Sequence, residues 1–313
     1  MALSSEADRN PVGTTGPARI GVILNPAASG GGALKTLPKV TQELVRLNVQ
    51  FSLHVTTGIG DCWTRVKAFA DEGFDRVVVI GGDGTFNEAA NGLLEADRLI
   101  PLGIVPAGTG CDLPRTLNIP AKSIPEAVRT ACLGTPTAID VGHAQCDSGE
   151  GRYFLNIAGL GFDATVAERA ARMKFSGGKA AYLAALGLSL ARYHNIPVSI
   201  SSEDFSIETT AVFVTVANAK YLAGGFMITP MADVSDGLLD LAIIGDLSIP
   251  DLLKNLPSVY RGKHTNHPKF THRQITSVRI SSPERAMVQV DGEILGSAPV
   301  VFNVRPSAAL VSL

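Results

Sequence analysis

Apolar runs and helical patterns alternate through the first half of the chain. Arg19–Leu24 reads as a buried strand, followed by the turn-rich Asn25–Gly32. From Ala33 to Leu47, the residues Leu34, Leu37, Val40, Leu44, Val45 and Leu47 recur near the helical period and predict an amphipathic helix. Val49–Val55 alternates as a strand, Cys62–Asp71 is helical, and the valine-rich Arg76–Ile80 is a short strand that stops at Gly81-Gly82. A helix over Phe86–Glu95, a strand over Leu102–Val105 and another glycine-bearing turn complete the series. Strands alternating with helices predict βαβ units and a mainly parallel sheet, which takes ligands beyond the carboxyl ends of its strands.

Past Ala138 the pattern changes. Short segments dense in valine and isoleucine cover Tyr153–Ile157, Val198–Ser202, Ala211–Val216, Leu239–Ile244, Val278–Ile280, Met287–Val290 and Ala298–Val304, with turn residues between them. They predict an antiparallel β domain. Helical insertions over Thr165–Arg192 and Pro250–Arg261 interrupt it. The expected organisation is an α/β domain over 19–140 and a β-rich domain over 141–303. Length supports two domains, since 313 residues is about twice the usual domain size.

Composition narrows the class. With 45% hydrophobic and 18% charged residues, the chain is far from the profile of a disordered protein. A formal charge of -2 gives no global field for holding nucleic acid, so no nucleic-acid partner is expected. Cys62, Cys111, Cys132 and Cys146 show no CxxC spacing, which fits a reducing cytoplasm better than a zinc site or a disulfide framework. The polar start, residues 1–18, has neither the basic beginning nor the apolar run of a signal peptide and reads as a disordered tail. No apolar stretch reaches the roughly 18 residues a membrane helix needs. The expectation is a cytoplasmic protein.

Three glycine-rich turns sit on strand ends. Gly81-Gly82-Asp83-Gly84-Thr85 follows a strand and opens a helix. Glycines there permit positive φ and let backbone N–H groups approach an anion without a Cβ between, and a helix N-terminus favours phosphate. The structural alternative is a capping box, Thr85-x-x-Glu88, behind an ordinary turn. Pro106-Ala-Gly108-Thr109-Gly110-Cys111-Asp112 and Asn25-Pro-Ala-Ala-Ser29-Gly30-Gly-Gly32 are the other two. Together they read as a nucleotide-phosphate cradle, although none is a Walker A loop or a GxGxxG fingerprint. On residue chemistry alone, Asp291-Gly292 reads as a hairpin turn, Asp233 and Asp236 as a solvated loop, and His264, His267 and His272 as a surface loop rather than a zinc site.

The order and spacing of these motifs resemble the diacylglycerol kinase catalytic family, in particular bacterial soluble lipid kinases related to sphingosine kinases. The likeness runs through Asn25-Pro-x-x-Ser29-Gly30, Gly81–Thr85 with Asn87-Glu88, Gly108-Thr-Gly-x-Asp112 and Phe154-Leu-Asn156-Ile-Ala-Gly159-x-Gly161-Phe-Asp163. It continues through Asn218-Ala-x-x-x-Ala-Gly224-Gly225, Pro230-x-Ala232-Asp233-x-x-Asp236-Gly237-Leu-Leu-Asp240 and Val290-Asp291-Gly292-Glu293. It implies an N-terminal domain like those of phosphofructokinase and NAD kinase, then an antiparallel β-sandwich, with 304–313 returning to the first domain. It further implies ATP- and Mg²⁺-dependent phosphorylation of a lipid hydroxyl at a membrane surface, with a homodimer possible by analogy. Asn25, Ser29, Gly30, Thr56, Gly81, Gly82, Asp83, Gly84, Thr85, Glu88, Gly108, Thr109, Gly110 and Asp112 would line the nucleotide site. Asp291 would be the base for the lipid hydroxyl, with Glu293 beside it and Asp83 orienting magnesium and phosphates. Asp233, Asp236 and the carbonyl of Leu238 would hold Mg²⁺. The chain departs from the pattern at Cys111, where asparagine is common, at Pro114 and at Ala223.

Two other readings stand beside this one: an NAD kinase-like phosphotransferase, and a weakly catalytic lipid- or nucleotide-binding protein. For contact with a bilayer, two stretches combine cations with apolar residues. One holds Arg169, Arg172, Lys174 and Lys179 before Ala180–Leu190. The other, 254–283, carries Lys254, Arg261, Lys263, Lys269, Arg273 and Arg279 and no Asp or Glu.

Overall fold

A computed structural model describes residues 18–161, 164 and 195–313. The polar tail, Phe162-Asp163 of the family motif, the insertion over Thr165–Arg192 and its basic-apolar stretch lie outside the described residues. The first half forms β1 (Arg19–Leu24), α1 (Leu37–Arg46), β2 (Gln50–Val55), α2 (Asp61–Asp71), β3 (Arg76–Gly81), α3 (Asp83–Leu94), β4 (Leu102–Pro106), α4 (Asp112–Thr116) and α5 (Ile124–Leu133). The four strands are parallel in the order β2-β1-β3-β4. Strand periodicity sorts their side chains. Ile20, Val22, Leu24, Val78 and Ile80 pack with Val40 and Leu44 of α1 and with Ala127 and Val128 of α5. Ile23, Val77 and Val79 face Val66 and Phe69 of α2 and Phe86 and Ala89 of α3 on the other side. Gly21 lets Phe69 lie flat on β1, since a Cβ there would fall 2.5 Å from the ring.

The second half contributes β5 (Pro136–Cys146), β6 (Gly151–Phe154), β7 (Ile157–Gly161), β8 (Ile196–Ser201), β9 (Ser206–Ala217), the short pair β10 (Tyr221–Leu222) and β11 (Phe226–Met227), and β12 (Leu239–Gly245). After α6 (Ile249–Val259) come β13 (Phe270–Ile275), β14 (Ser277–Ser281), β15 (Met287–Val290), β16 (Glu293–Ser297) and β17 (Val300–Ser312). All described pairs among β5–β16 are antiparallel, around a core that includes Phe154, Val214, Leu241, Val288 and Phe302.

One strand joins the two halves. β17 pairs with β14 through Val300–Asn303 and lies parallel to β4 through Val311 opposite Leu102, while β5 runs antiparallel along most of its length. A single mixed sheet therefore passes through both halves, and Arg76 of β3 reaches across to Ser312.

Several sequence expectations shift. The segment Tyr153–Ile157 is two strands separated at Leu155-Asn156, because the backbone there turns to serve a carboxylate described below. Ala33–Leu47 begins as a short 3₁₀ turn and becomes α-helical only at Leu37. Of the three histidines only His267 stays in a half-exposed loop: His264 is buried and its Nε2 meets the carbonyl of Ile228, while His272 lies on β13 with Nε2 2.5 Å from Asp240.

Candidate active site

The glycine loops after β1, β3 and β4 meet because those strands are neighbours in the sheet. Asn25 donates Nδ2–H to Thr85 Oγ1 at 2.9 Å, and its own Oδ1 accepts from the N–H of Ala27 at 3.0 Å. The backbone N–H of Ala107 donates to Gly81 O at 2.8 Å. The first loop passes through the left-handed region, with φ of 56° at Ser29 and 63° at Gly30. Thr56 is buried beside it, its N–H bonded to Leu24 O. Thr109 is exposed at the tip of the third loop, and Glu88 is half-buried on α3.

The Gly81–Thr85 turn works differently from the expectation. Its glycines do not adopt positive φ, and Thr85 is not a cap. α3 starts at Asp83, with Gly82 as its N-cap at φ −116°, so Asp83, Gly84 and Thr85 form the first helical turn. The glycines are required by close approach. A Cβ on Gly81 would lie 2.7 Å from Thr85 Oγ1, and one on Gly108 would lie 2.5 Å from the Cα of Gly82. Backbone therefore packs on backbone, leaving N–H groups and the N-terminus of α3 facing one crevice. Gly108→Ala must push the two loops apart. We expect a stability loss of about 1–3 kcal/mol, read from the thermal midpoint.

Asp83 and Asp112 anchor the crevice floor. Asp83 Oδ1 accepts from the N–H groups of Asp112 (2.9 Å) and Leu113 (3.1 Å), capping α4 from another helix. Asp112 is held by Arg115 at 2.5 Å and by the N–H of Gly224 at 2.7 Å. Burial, followed by the charge of Asp83, pushes the Asp112 carboxyl up to about 6. Gly110 fits between these groups, since a Cβ there would lie 3.0 Å from Asp83 Oδ2. Cys111 is the N-cap of α4 with φ 51°, the left-handed region that asparagine tolerates better than cysteine. Cys111→Asn is therefore expected to raise stability by about 0.5–1 kcal/mol, visible as a higher thermal midpoint.

The second half brings its carboxylates to the same crevice through the β15–β16 hairpin. Asp291 takes φ 47° at the turn and points inward. Its Oδ1 accepts from the N–H groups of Asn156 (3.0 Å) and Ile157 (2.9 Å). Its Oδ2 accepts from the N–H of Leu155 (3.0 Å) and from Asn87 Nδ2 (2.9 Å). Burial pushes this carboxyl up to about 6 even though the four donors pull the other way. Glu293 is more open. Its Oε2 takes Arg152 Nη1–H at 2.7 Å, and its Oε1 lies 3.5 Å from where a Gly84 Cβ would stand.

Sequence reasoning left Arg115 and Arg152 out and gave Asn87 no role of its own. Arg152 Nε donates to Asn87 Oδ1 at 2.9 Å, so one guanidinium holds both Asn87 and Glu293. The available signals were Arg115 three residues after Asp112, Asn87 two after Thr85, and Arg152 just before Phe154-Leu-Asn156.

Asp233, Asp236 and Leu238 lie apart from the glycine loops. Asp233 Oδ1 accepts from Ser235, and Asp236 accepts from Leu238 N–H and Gln274. The loop is pinned by Gly237 N–H to Asp140 Oδ2 at 2.7 Å. Around Asp140, Asn218 is buried with Oδ1 unpartnered among the described residues, and so is its neighbour Asn156. No three acidic, His or Cys side chains converge on one point among the described residues. The carboxylates of Asp233 and Asp236 with the Leu238 carbonyl are hard oxygens of the kind that suits Mg²⁺, which keeps several waters. The residues present fit that ion. No helix among the described residues is long and apolar enough to cross a membrane.

Known proteins match this arrangement over nearly its whole length. The diacylglycerol kinase catalytic domain matches residues 19–144, and the YegS C-terminal NAD kinase β-sandwich-like domain matches residues 156–312. A diacylglycerol kinase of Mycobacterium tuberculosis (strain CDC 1551 / Oshkosh) is 30% identical over 296 residues, covering 94% of each chain. One from Bacillus subtilis (strain 168) is 30% identical over 289 residues, covering 91% of this chain and 92% of its own. A crystal structure of a diacylglycerol kinase from Bacillus anthracis str. Sterne superposes with a TM-score of 0.73 at 25% identity, over 96% of this chain and 98% of that one. With both halves matched and the glycine crevice shared between them, the chain belongs to the diacylglycerol kinase family.

Proposed function

We propose that the protein transfers the γ-phosphoryl group of ATP to the hydroxyl of a lipid alcohol, diacylglycerol or a close relative, with Mg²⁺ as the accompanying cation. The observation that carries this is the placement of Glu293: an open carboxylate from the second half, aimed at Gly84 in the first turn of α3. Phosphoryl transfer asks for positioning and charge compensation more than covalent help. The touching loops and the α3 N-terminus offer N–H groups to phosphate oxygens. A carboxylate opposite them can take the proton of an incoming hydroxyl.

The proton acceptor is Glu293 rather than Asp291. A carboxylate has about four lone-pair sites, and four N–H groups occupy those of Asp291. Asp291 therefore fixes the hairpin and acts as a positioning residue. Arg152 sets the Glu293 side chain and, through Asn87, ties it to α3. Asp83 and Asp112 hold the third loop against the first turn of α3, with Asp83 Oδ2 turned toward Gly110. Asp233, Asp236 and the Leu238 carbonyl would hold Mg²⁺, whose charge would offset the carboxylates of that loop.

The reading is tested by ADP release in the presence of diacylglycerol micelles, NAD, or neither, with Mg²⁺ or with excess chelator. Release that needs both diacylglycerol and Mg²⁺ supports it. Release stimulated by NAD alone would assign a different acceptor.

A further inference from the structure

We propose that the outward face of α6, with the turn after it, docks on an anionic lipid bilayer; this deepens the lipid-kinase reading and rests on it. α6 starts cleanly, with Ser248 as N-cap accepting from the N–H of Asp251 and Pro250 in the first turn. Leu253, Pro257 and Tyr260 follow at i, i+4 and i+7 and so share one side. Leu253 is 49% exposed and Tyr260 51%, Pro257 is exposed as well, and Met231 nearby is 38% exposed. Single exposed apolar residues need no explanation, but a stripe of them along a helix with no buried side chain over 250–259 does.

Charge identifies the occupant. Lys254 and Arg261 lie seven residues apart, one step round the helix from the apolar stripe, and Lys263 follows in the turn. All three are exposed, and none pairs with a carboxylate among the described residues. No Asp or Glu occurs from Leu252 to Pro283. Of the nearest acids, Asp251 is bonded to Ser248 Oγ at 2.6 Å, and Asp233, beyond Met231, is bonded to Ser235. An apolar stripe flanked by lysine and arginine suits the boundary between acyl chains and anionic headgroups, where long cationic side chains reach outward to phosphate.

The surface also adjoins the crevice. Gly224 N–H bonds to Asp112, and two residues later the Phe226 ring stacks on Tyr260 with centroids 4.3 Å apart. A bilayer seated on α6 would lie beside the segment that closes the nucleotide loop.

Flotation of the full chain with phosphatidylcholine vesicles, with and without phosphatidylglycerol, tests the proposal without ATP or acceptor present. The chain should float only with the phosphatidylglycerol vesicles, and less so as salt rises. Lys254→Glu/Arg261→Glu should lower partitioning at least about tenfold at an unchanged thermal midpoint, whereas Lys39→Glu/Lys122→Glu, an equal charge change on the first half, should not. Leu253→Gln, which removes apolar surface without changing charge, should weaken partitioning independently of salt. No flotation, flotation indifferent to phosphatidylglycerol, or flotation unchanged in the α6 variants overturns the docking surface. A chain that floats as expected yet transfers no phosphate would refute the kinase reading and leave this surface standing.

Discussion

Glu293→Gln should lower the rate of phosphoryl transfer about 10²–10⁴-fold while the protein stays folded and still binds ATP. The side chain is 46% exposed and its one charged partner among the described residues is Arg152, so the substitution removes the proposed proton acceptor without emptying a core position. A surface pair of this kind contributes at most about 1 kcal/mol, and a near-normal thermal midpoint is expected. Steady-state kinetics would show the loss in kcat, with the ATP dissociation constant within a fewfold of wild type. Arg152→Lys should give a milder version, since lysine can pair with Glu293 but cannot also hold Asn87 Oδ1 through a second nitrogen.

Asp291→Asn should fail in the opposite way, by losing structure. Whichever oxygen becomes an amide nitrogen, its hydrogens face two N–H donors: those of Asn156 and Ile157, or those of Leu155 and Asn87. Two donors left without an acceptor cost about 2–4 kcal/mol, or about 4–10 °C in thermal midpoint, and activity falls because the hairpin no longer presents Glu293. The pH dependence has a definite sign. The folded carboxyl titrates at about 6, above its ordinary value, so between pH 4 and 6 the folded chain holds a proton that the unfolded chain releases. Wild-type stability should therefore fall as pH rises through that window and level off above it. The variant lacks this contribution, so its deficit should be larger near pH 4 than near pH 7. Asp112, also raised to about 6, adds a slope of the same sign to both proteins. Chemical denaturation across this pH range checks both statements.

The contrast between these two residues shows what one-dimensional patterning reveals and what it hides. The alternation of strands and helices, the mainly parallel sheet and its three glycine-bearing strand ends were legible, because apolar periodicity and glycine punctuation are local signals, whereas the order β2-β1-β3-β4 came only from the fold. The start of α3 was legible only to within a turn, expected at Phe86 and found at Asp83. Gly-Asp-Gly reads as a turn, and only the packing of Gly82 on Gly108 shows why those glycines belong to a helix entry. β17 looked like a segment ending near Val304, because its polar middle, Asn303 to Ser307, breaks the apolar run just where the strand passes from one half to the other. The Asp-Gly-Glu motif marked the right hairpin, but which carboxylate is saturated and which is open depends on donors 134 to 204 residues away in sequence. Arg152 escaped notice, and Asn87 was noted in its motif without a role, for the same reason: their partners are ones that only the fold supplies.

The most direct test of the account is transfer of labelled γ-phosphate from ATP to a panel of lipid alcohols in mixed micelles, with wild type and Glu293→Gln side by side in Mg²⁺. The account predicts label on a lipid hydroxyl with wild type and at least about a hundredfold less with the variant. Label reaching lipid equally well with Glu293→Gln, or reaching no lipid while the folded protein binds ATP, would contradict it.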